Sequence, residues 1–148
     1  MSPVRTARLL VAGQFGAIAV WAVSGPLGAP GPALLAVQAA GLSLGLWAAL
    51  WMSVRQRRRF SVTPLPDAHV RLVTDGPYRW IRHPMYTAVL AVVLPAALSG
   101  PAPSVAAGIV LATVLLTKYR FEDRLLARRF AEFDAYRRRT GALLPGIG

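Results

Sequence analysis

No Asp, Glu, Lys or Arg occurs between residues 9 and 54, and none between residues 83 and 117. Ionisable side chains are costly in hydrocarbon, and about 20 consecutive apolar residues are enough to cross a bilayer. Two such runs in a chain of 148 residues, 55% of them hydrophobic, restrict it to one membrane domain. Inside a bilayer the backbone must satisfy its own hydrogen bonds, so the runs read as helices. Breakers divide each run. Gly25-Pro26 through Pro30-Gly31-Pro32 splits the first, and Ser99-Gly100-Pro101-Ala102-Pro103 splits the second. The expected fold is all-α: four transmembrane helices in two hairpins, over 9–24, 33–54, 84–98 and 104–117. The basic lead and short apolar core around 9–24 also match a signal peptide, but a second hydrophobic segment follows almost at once and favours a span. Gly41 and Gly45 form a small-xxx-small pair suited to close helix packing, and Pro95 interrupts the third span.

The charges expelled from these runs set the orientation. The chain carries 17 Lys and Arg against 6 Asp and Glu, a net charge of +11. With the N-terminus cytoplasmic, both uncharged turns lie outside and every basic residue lies inside, as the positive-inside rule requires. A soluble chain with this charge would suggest nucleic acid, but no readable nucleic-acid motif accompanies the basic residues. The absence of cysteine removes disulfides, thiolate nucleophiles and thiolate metal sites together. With only His69 and His83 available, no metal site is expected. Sixteen arginines accompany the single lysine, Lys118, in an Ala-, Gly- and Pro-rich chain; this is the bias of a GC-rich genome, and it points to a bacterial inner membrane.

Chemistry concentrates at two places. The stretch from Gly76 through Pro77, Tyr78, Arg79, Trp80, Ile81, Arg82, His83, Pro84 and Met85 to Tyr86 follows a polar connector and opens the third span. An aromatic belt with Arg79 and Arg82 as cytoplasmic anchors accounts for part of it. The second place is Glu122-Asp123, where the fourth span leaves the membrane. It begins a cytoplasmic amphipathic helix over 118–139, with Phe121, Leu125, Phe130, Phe133 and Tyr136 on one stripe. Acids gain nothing from an anionic lipid surface, so Glu122 and Asp123 either pair with Arg120 or Arg124 or face a cation. If the third and fourth spans form a hairpin, His83 and the two acids meet at one depth. Aromatic rings, a histidine and two carboxylates suit a ligand with a positive centre, an amino group and a flat ring. S-adenosylmethionine has those parts.

At these residues the sequence resembles the isoprenylcysteine carboxyl methyltransferase family, with its bacterial relatives and the related phospholipid N-methyltransferases. The family's Arg-His-Pro-x-Tyr-x-Gly motif, preceded by Gly-x-Tyr, reads here Arg82-His83-Pro84-Met85-Tyr86-Thr87-Ala88 after Gly76-Pro77-Tyr78. Its paired Glu reads Glu122-Asp123, followed by Leu126, Phe130, Phe133, Tyr136 and Pro145. The likeness covers residues 65–145. It implies a helical membrane methyltransferase that takes S-adenosylmethionine from the cytoplasm and a lipophilic small molecule or lipid-modified acceptor from the bilayer. It assigns the cofactor to His83, Pro84, Tyr86 and Glu122, and also to Gly76, Tyr78 and Asp123. Two departures stand out: Ala88 replaces the motif's glycine, and Asp123 shortens the second acid. A carboxylate or thiolate acceptor needs less help than an amine, which requires a base. Arg120 is the expected residue to orient an acceptor carboxylate. The competing readings are a non-catalytic membrane protein of the same fold, binding lipid or a partner, and a reductase-like relative using a nicotinamide cofactor.

Overall fold

The computed structural model describes residues 2–25, 30–56 and 71–148. The basic cluster at 57–59, most of the connector and the centre of the first turn lie outside the described residues. So do His69 and Val70. Arg71, Leu72 and Val73 belong to no strand.

The described chain is helical. It consists of α1 (Pro3–Ser24), α2 (Pro32–Arg55), a single 3-10 turn (Gly76–Arg79), α3 (Pro84–Leu98), α4 (Ala102–Arg129) and α5 (Phe133–Arg139). The longer helices begin alike. Proline occupies the first turn of α1, α2, α3 and α4, where its missing N–H costs nothing. Ser2 also caps α1 by accepting a hydrogen bond from the Arg5 N–H at 3.3 Å. Helices α1, α2 and α4 are long and apolar enough to cross a membrane. Helix α3 is equally apolar but has only 15 residues. Leu9, Phe15, Val20, Leu42, Leu46, Leu50, Ile109 and Val110 all stand exposed, an arrangement that suits hydrocarbon and not water.

Two expectations need correcting. Helices α1 and α2 are consecutive but do not form a packed hairpin: α1 lies against α4, and α2 lies against α3. The α3–α4 hairpin is present, with Ala97 against Gly108 at one end and His83 beside Asp123 at the other. The second correction concerns 118–139, which is not one helix. Helix α4 ends at Phe130, whose φ of −116° and ψ of 115° are extended, and α5 starts at Phe133. A continuous helix would carry Phe133 and Tyr136 away from the body of the protein. The break returns both to burial.

Small residues make the close contacts. A Cβ on Gly41 would fall 2.9 Å from that of Ala91, and one on Gly45 would fall 3.0 Å from that of Ala88. The expected small-xxx-small pair is therefore the α2–α3 seam. Ala88, where the family motif carries glycine, faces this seam. Its methyl is buried against α2.

Candidate functional site

The site forms where the chain enters α3. Gly76 has φ +58°, and a Cβ there would collide with the Trp51 indole of α2. That indole donates from Nε1 to Asp75 Oδ1 at 2.9 Å, and Arg55 pairs with the same carboxylate. Gly76 thus has a packing role, anchoring the loop to α2. The backbone of the loop is then gripped from the other side. Arg82 N donates to Gly141 O at 2.9 Å, His83 N to Ala142 O at 3.0 Å, and Gly141 N to Trp80 O at 3.0 Å. Pro84 holds His83 out of the helical region and starts α3. The imidazole is thereby turned toward α4.

There it meets both acids. His83 Nε2 lies 2.8 Å from Asp123 Oδ1, and Nδ1 lies 3.2 Å from Glu122 Oε2. Both ring nitrogens face carboxylates, so both must carry protons to make both bonds. Burial by itself opposes the charged ring, but hydrogen bonds and the charges of Asp123 and Glu122 outweigh it and raise the His83 pKa above 6.5. Tyr86 stacks parallel to the imidazole at 5.4 Å and donates its hydroxyl to Glu122 Oε1 at 2.6 Å.

Arg82 is a buried clamp, not a surface anchor. Its Nε donates to Asp123 Oδ2 at 3.3 Å, while its Nη atoms reach the carbonyls of Arg137, Thr140 and Gly148. Asp123 is therefore held by Arg82 and His83 together, and its side chain is only 8% exposed against 19% for Glu122. This explains the shorter acid. Asp123 is committed to the protein interior, and Glu122 is the member of the pair that opens outward. Tyr136 donates to Tyr78 O at 2.6 Å, tying α5 beneath the 3-10 turn. The Tyr78 hydroxyl is buried without a hydrogen-bond partner among the described residues. Burial and the neighbouring Tyr136 and Glu122 push its pKa up, so it stays a protonated donor. A polar cleft of about 550 Å³ borders the clamp, lined by Asp134, residues 137–140, Gly146 and Gly148; it lies beside Arg82 and not at Glu122.

The structure thus brings His83, Pro84, Tyr86, Glu122, Asp123 and Tyr78 together. It leaves Arg120 apart, exposed and stacked at 5.7 Å over the Tyr119 ring. The buried cation on this part of α4 is Lys118, 2% exposed and donating to Gln14 Oε1 of α1 at 2.8 Å. Sequence reasoning passed over both residues. The available signal was periodicity: the only lysine stands one helical turn before Glu122, on the same face of α4.

The family model for phospholipid methyltransferases matches residues 34–132, which covers the loop, α3 and the acids. The chain belongs to the phospholipid methyltransferase family. This family is part of the isoprenylcysteine carboxyl methyltransferase-like group that the motifs resemble. Two curated relatives are named for metal resistance. The cobalt-zinc-cadmium resistance protein CzcN of Cupriavidus metallidurans is 38% identical over 124 residues, 78% of this chain and 51% of that protein. The nickel-cobalt-cadmium resistance protein NccN of Alcaligenes xylosoxydans xylosoxydans is 35% identical over 123 residues, again 78% and 51%. This chain spans about half the length of either relative. No solved structure matches. Family membership and the three span-length apolar helices make this an integral membrane protein of a methyltransferase family.

Proposed function

We propose that the chain is an S-adenosylmethionine-dependent methyltransferase acting on a lipophilic acceptor at the cytoplasmic membrane face. The observation that carries this reading is the buried Tyr78 hydroxyl, unpartnered beside an acid pair of which only Glu122 opens outward. A buried donor without a partner is costly, and a polar ligand at this edge would relieve it. Glu122 would accept from the cofactor's ammonium, and the Tyr78 hydroxyl would donate to an acceptor atom of the cofactor, such as its carboxylate. His83 and Tyr86 would fix Glu122 from behind, with Pro84 setting the loop that carries them. Asp123 would act through His83, and Gly76 through the loop. When bound, the cofactor supplies an electrophilic methyl group on a sulfonium. The protein's task is then to position donor and acceptor. A carboxylate or thiolate acceptor needs no general base at this site, where His83 is already committed to two carboxylates.

The charge pattern supports four spans with both ends of the described chain cytoplasmic, in a bacterial inner membrane. Helix α3, with 15 residues, is about 22 Å long, short of the ~30 Å hydrocarbon core. The His83 loop would therefore sit at or below the membrane surface, within reach of an acceptor embedded in lipid. Any part in metal resistance, as in the relatives' names, we assign to modification of a lipophile. An imidazole protonated on both nitrogens has no lone pair for an ion.

The test is purified protein in neutral detergent, with S-adenosylhomocysteine and NADPH compared as thermal stabilisers. Lipid extract with methyl-labelled cofactor follows. Stabilisation by S-adenosylhomocysteine and a labelled lipophilic product are expected. Stabilisation by NADPH alone would favour the reductase-like reading, and a response to neither would favour a non-catalytic one.

A further inference from the structure

Arg82 and His83 balance Glu122 and Asp123, charge for charge. Lys118 is the charge left over. It is 2% exposed, with Nζ 2.8 Å from Gln14 Oε1 and 4.9 Å from the Tyr86 ring centroid. No carboxylate lies within salt-bridge distance of it among the described residues, although both cations of the neighbouring cluster have one. A buried ammonium held by one neutral amide and one ring is costly, and Met or Leu would fill the same space without that cost. Burial opposes the charged form; the amide oxygen, the ring face and the nearby Glu122 carboxylate favour it. Tyr86 joins this cation to the acid pair, with its ring under Lys118 and its hydroxyl on Glu122. Along α4, Lys118 stands about 6 Å from Glu122, one turn toward the apolar part of the helix. It lies where α1, α3 and α4 meet, above the apolar cluster of Ala17, Val93, Ala97, Leu111 and Leu115.

We propose that Lys118 is the anion-binding group for the methyl acceptor, held ready by Gln14, and that it takes the carboxylate head of the acceptor preferred above. The inference rests on the methyltransferase reading for the identity of the bound molecule as acceptor. The cation needed to orient a carboxylate is thus Lys118 inside the bundle, and not Arg120 on its surface. A carboxylate is ionised at neutral pH, so Lys118 has only to hold charge. It removes no proton.

The test uses three probes with one tail: dodecanoate, dodecanol and dodecylamine. Binding is followed by tryptophan fluorescence in neutral detergent, with and without saturating S-adenosylhomocysteine. The wild-type protein should bind dodecanoate at least about tenfold more tightly than dodecanol. Lys118→Met should abolish that preference while leaving S-adenosylhomocysteine affinity within about twofold, and Lys118→Arg should preserve the preference. Lys118→Gln serves if Lys118→Met does not fold. Equal binding of dodecanoate and dodecanol to the wild-type protein would overturn the proposal. So would a preference that survives in Lys118→Met, or a preference for dodecylamine. Failure of S-adenosylhomocysteine to bind would break the methyltransferase reading instead, and the probe series measures the anion site either way.

Discussion

The two ends of the α3–α4 pair are held together by opposite means. At one end Ala97 meets Gly108, where an added Cβ would come within 2.7 Å of a neighbouring methyl, and closeness is the whole interaction. At the other end Arg82, His83, Glu122 and Asp123 form a hydrogen-bonded cluster in which each acid faces a cation. In lipid there is no hydrophobic gain from pressing apolar helices together, so the first end depends on shape alone. The second depends on charge and directed hydrogen bonds, and it gathers the loop, α4 and α5 around one imidazole. The shape-held end should be sensitive to volume and indifferent to pH. The charge-held end should behave the other way round.

The strongest way to break the comparison is Arg82→Met, which keeps volume and removes charge. It leaves Asp123 with His83 as its one cationic partner and frees the carbonyls of Arg137, Thr140 and Gly148. A loss of about 3–5 kcal/mol is expected, read as a fall in the thermal midpoint in detergent. A loss below about 1 kcal/mol would mean that packing holds this end too.

His83→Gln removes a charged hydrogen-bond donor, and about 1.5–3 kcal/mol should go with it at acidic pH. Because the folded pKa of His83 is raised, protonation favours the folded state. That contribution is complete below 6.5 and disappears as pH climbs through the raised folded value. The wild-type advantage over His83→Gln should therefore shrink with rising pH. A pH-independent gap would show that the imidazole serves as a spacer.

At the shape-held end, Gly108→Leu should cost about 1–3 kcal/mol at every pH, because the side chain has nowhere to go. Val110→Leu, on an exposed surface two residues away, should be close to neutral. If both variants were equally tolerated, the α3–α4 approach near Ala97 would not be close.

The smallest expected effect is at Ala88. Its methyl packs against Gly45 of α2 and stands away from the acid cluster. Ala88→Gly should cost about 1 kcal/mol of stability by helix propensity and leave S-adenosylhomocysteine affinity unchanged. A marked change in affinity would place this methyl within reach of the site after all.

Charge segregation, breaker placement and the two motifs made the helical membrane class legible in the sequence, along with the meeting of His83 with Glu122 and Asp123. All of these follow from local rules. Hydrocarbon excludes charge along a continuous stretch, proline and glycine end helices where they stand, and a short hairpin returns the chain to its starting depth. Several features were decided by the tertiary structure. Helix α1 pairs with α4 and not with its sequence neighbour, because uniformly apolar helices carry no periodic face to name a partner. Arg82 looked like a surface anchor until the carbonyls of 137–148 were folded around it. The break at Phe130 left no breaker residue to read; it comes from the burial of Phe133 and Tyr136 under the 3-10 turn. Lys118 stood in plain sight as the only lysine, one turn before Glu122. Whether a residue at that position meets lipid, water or Gln14 depends on which helix packs beside it, and no local rule in the sequence specifies that helix.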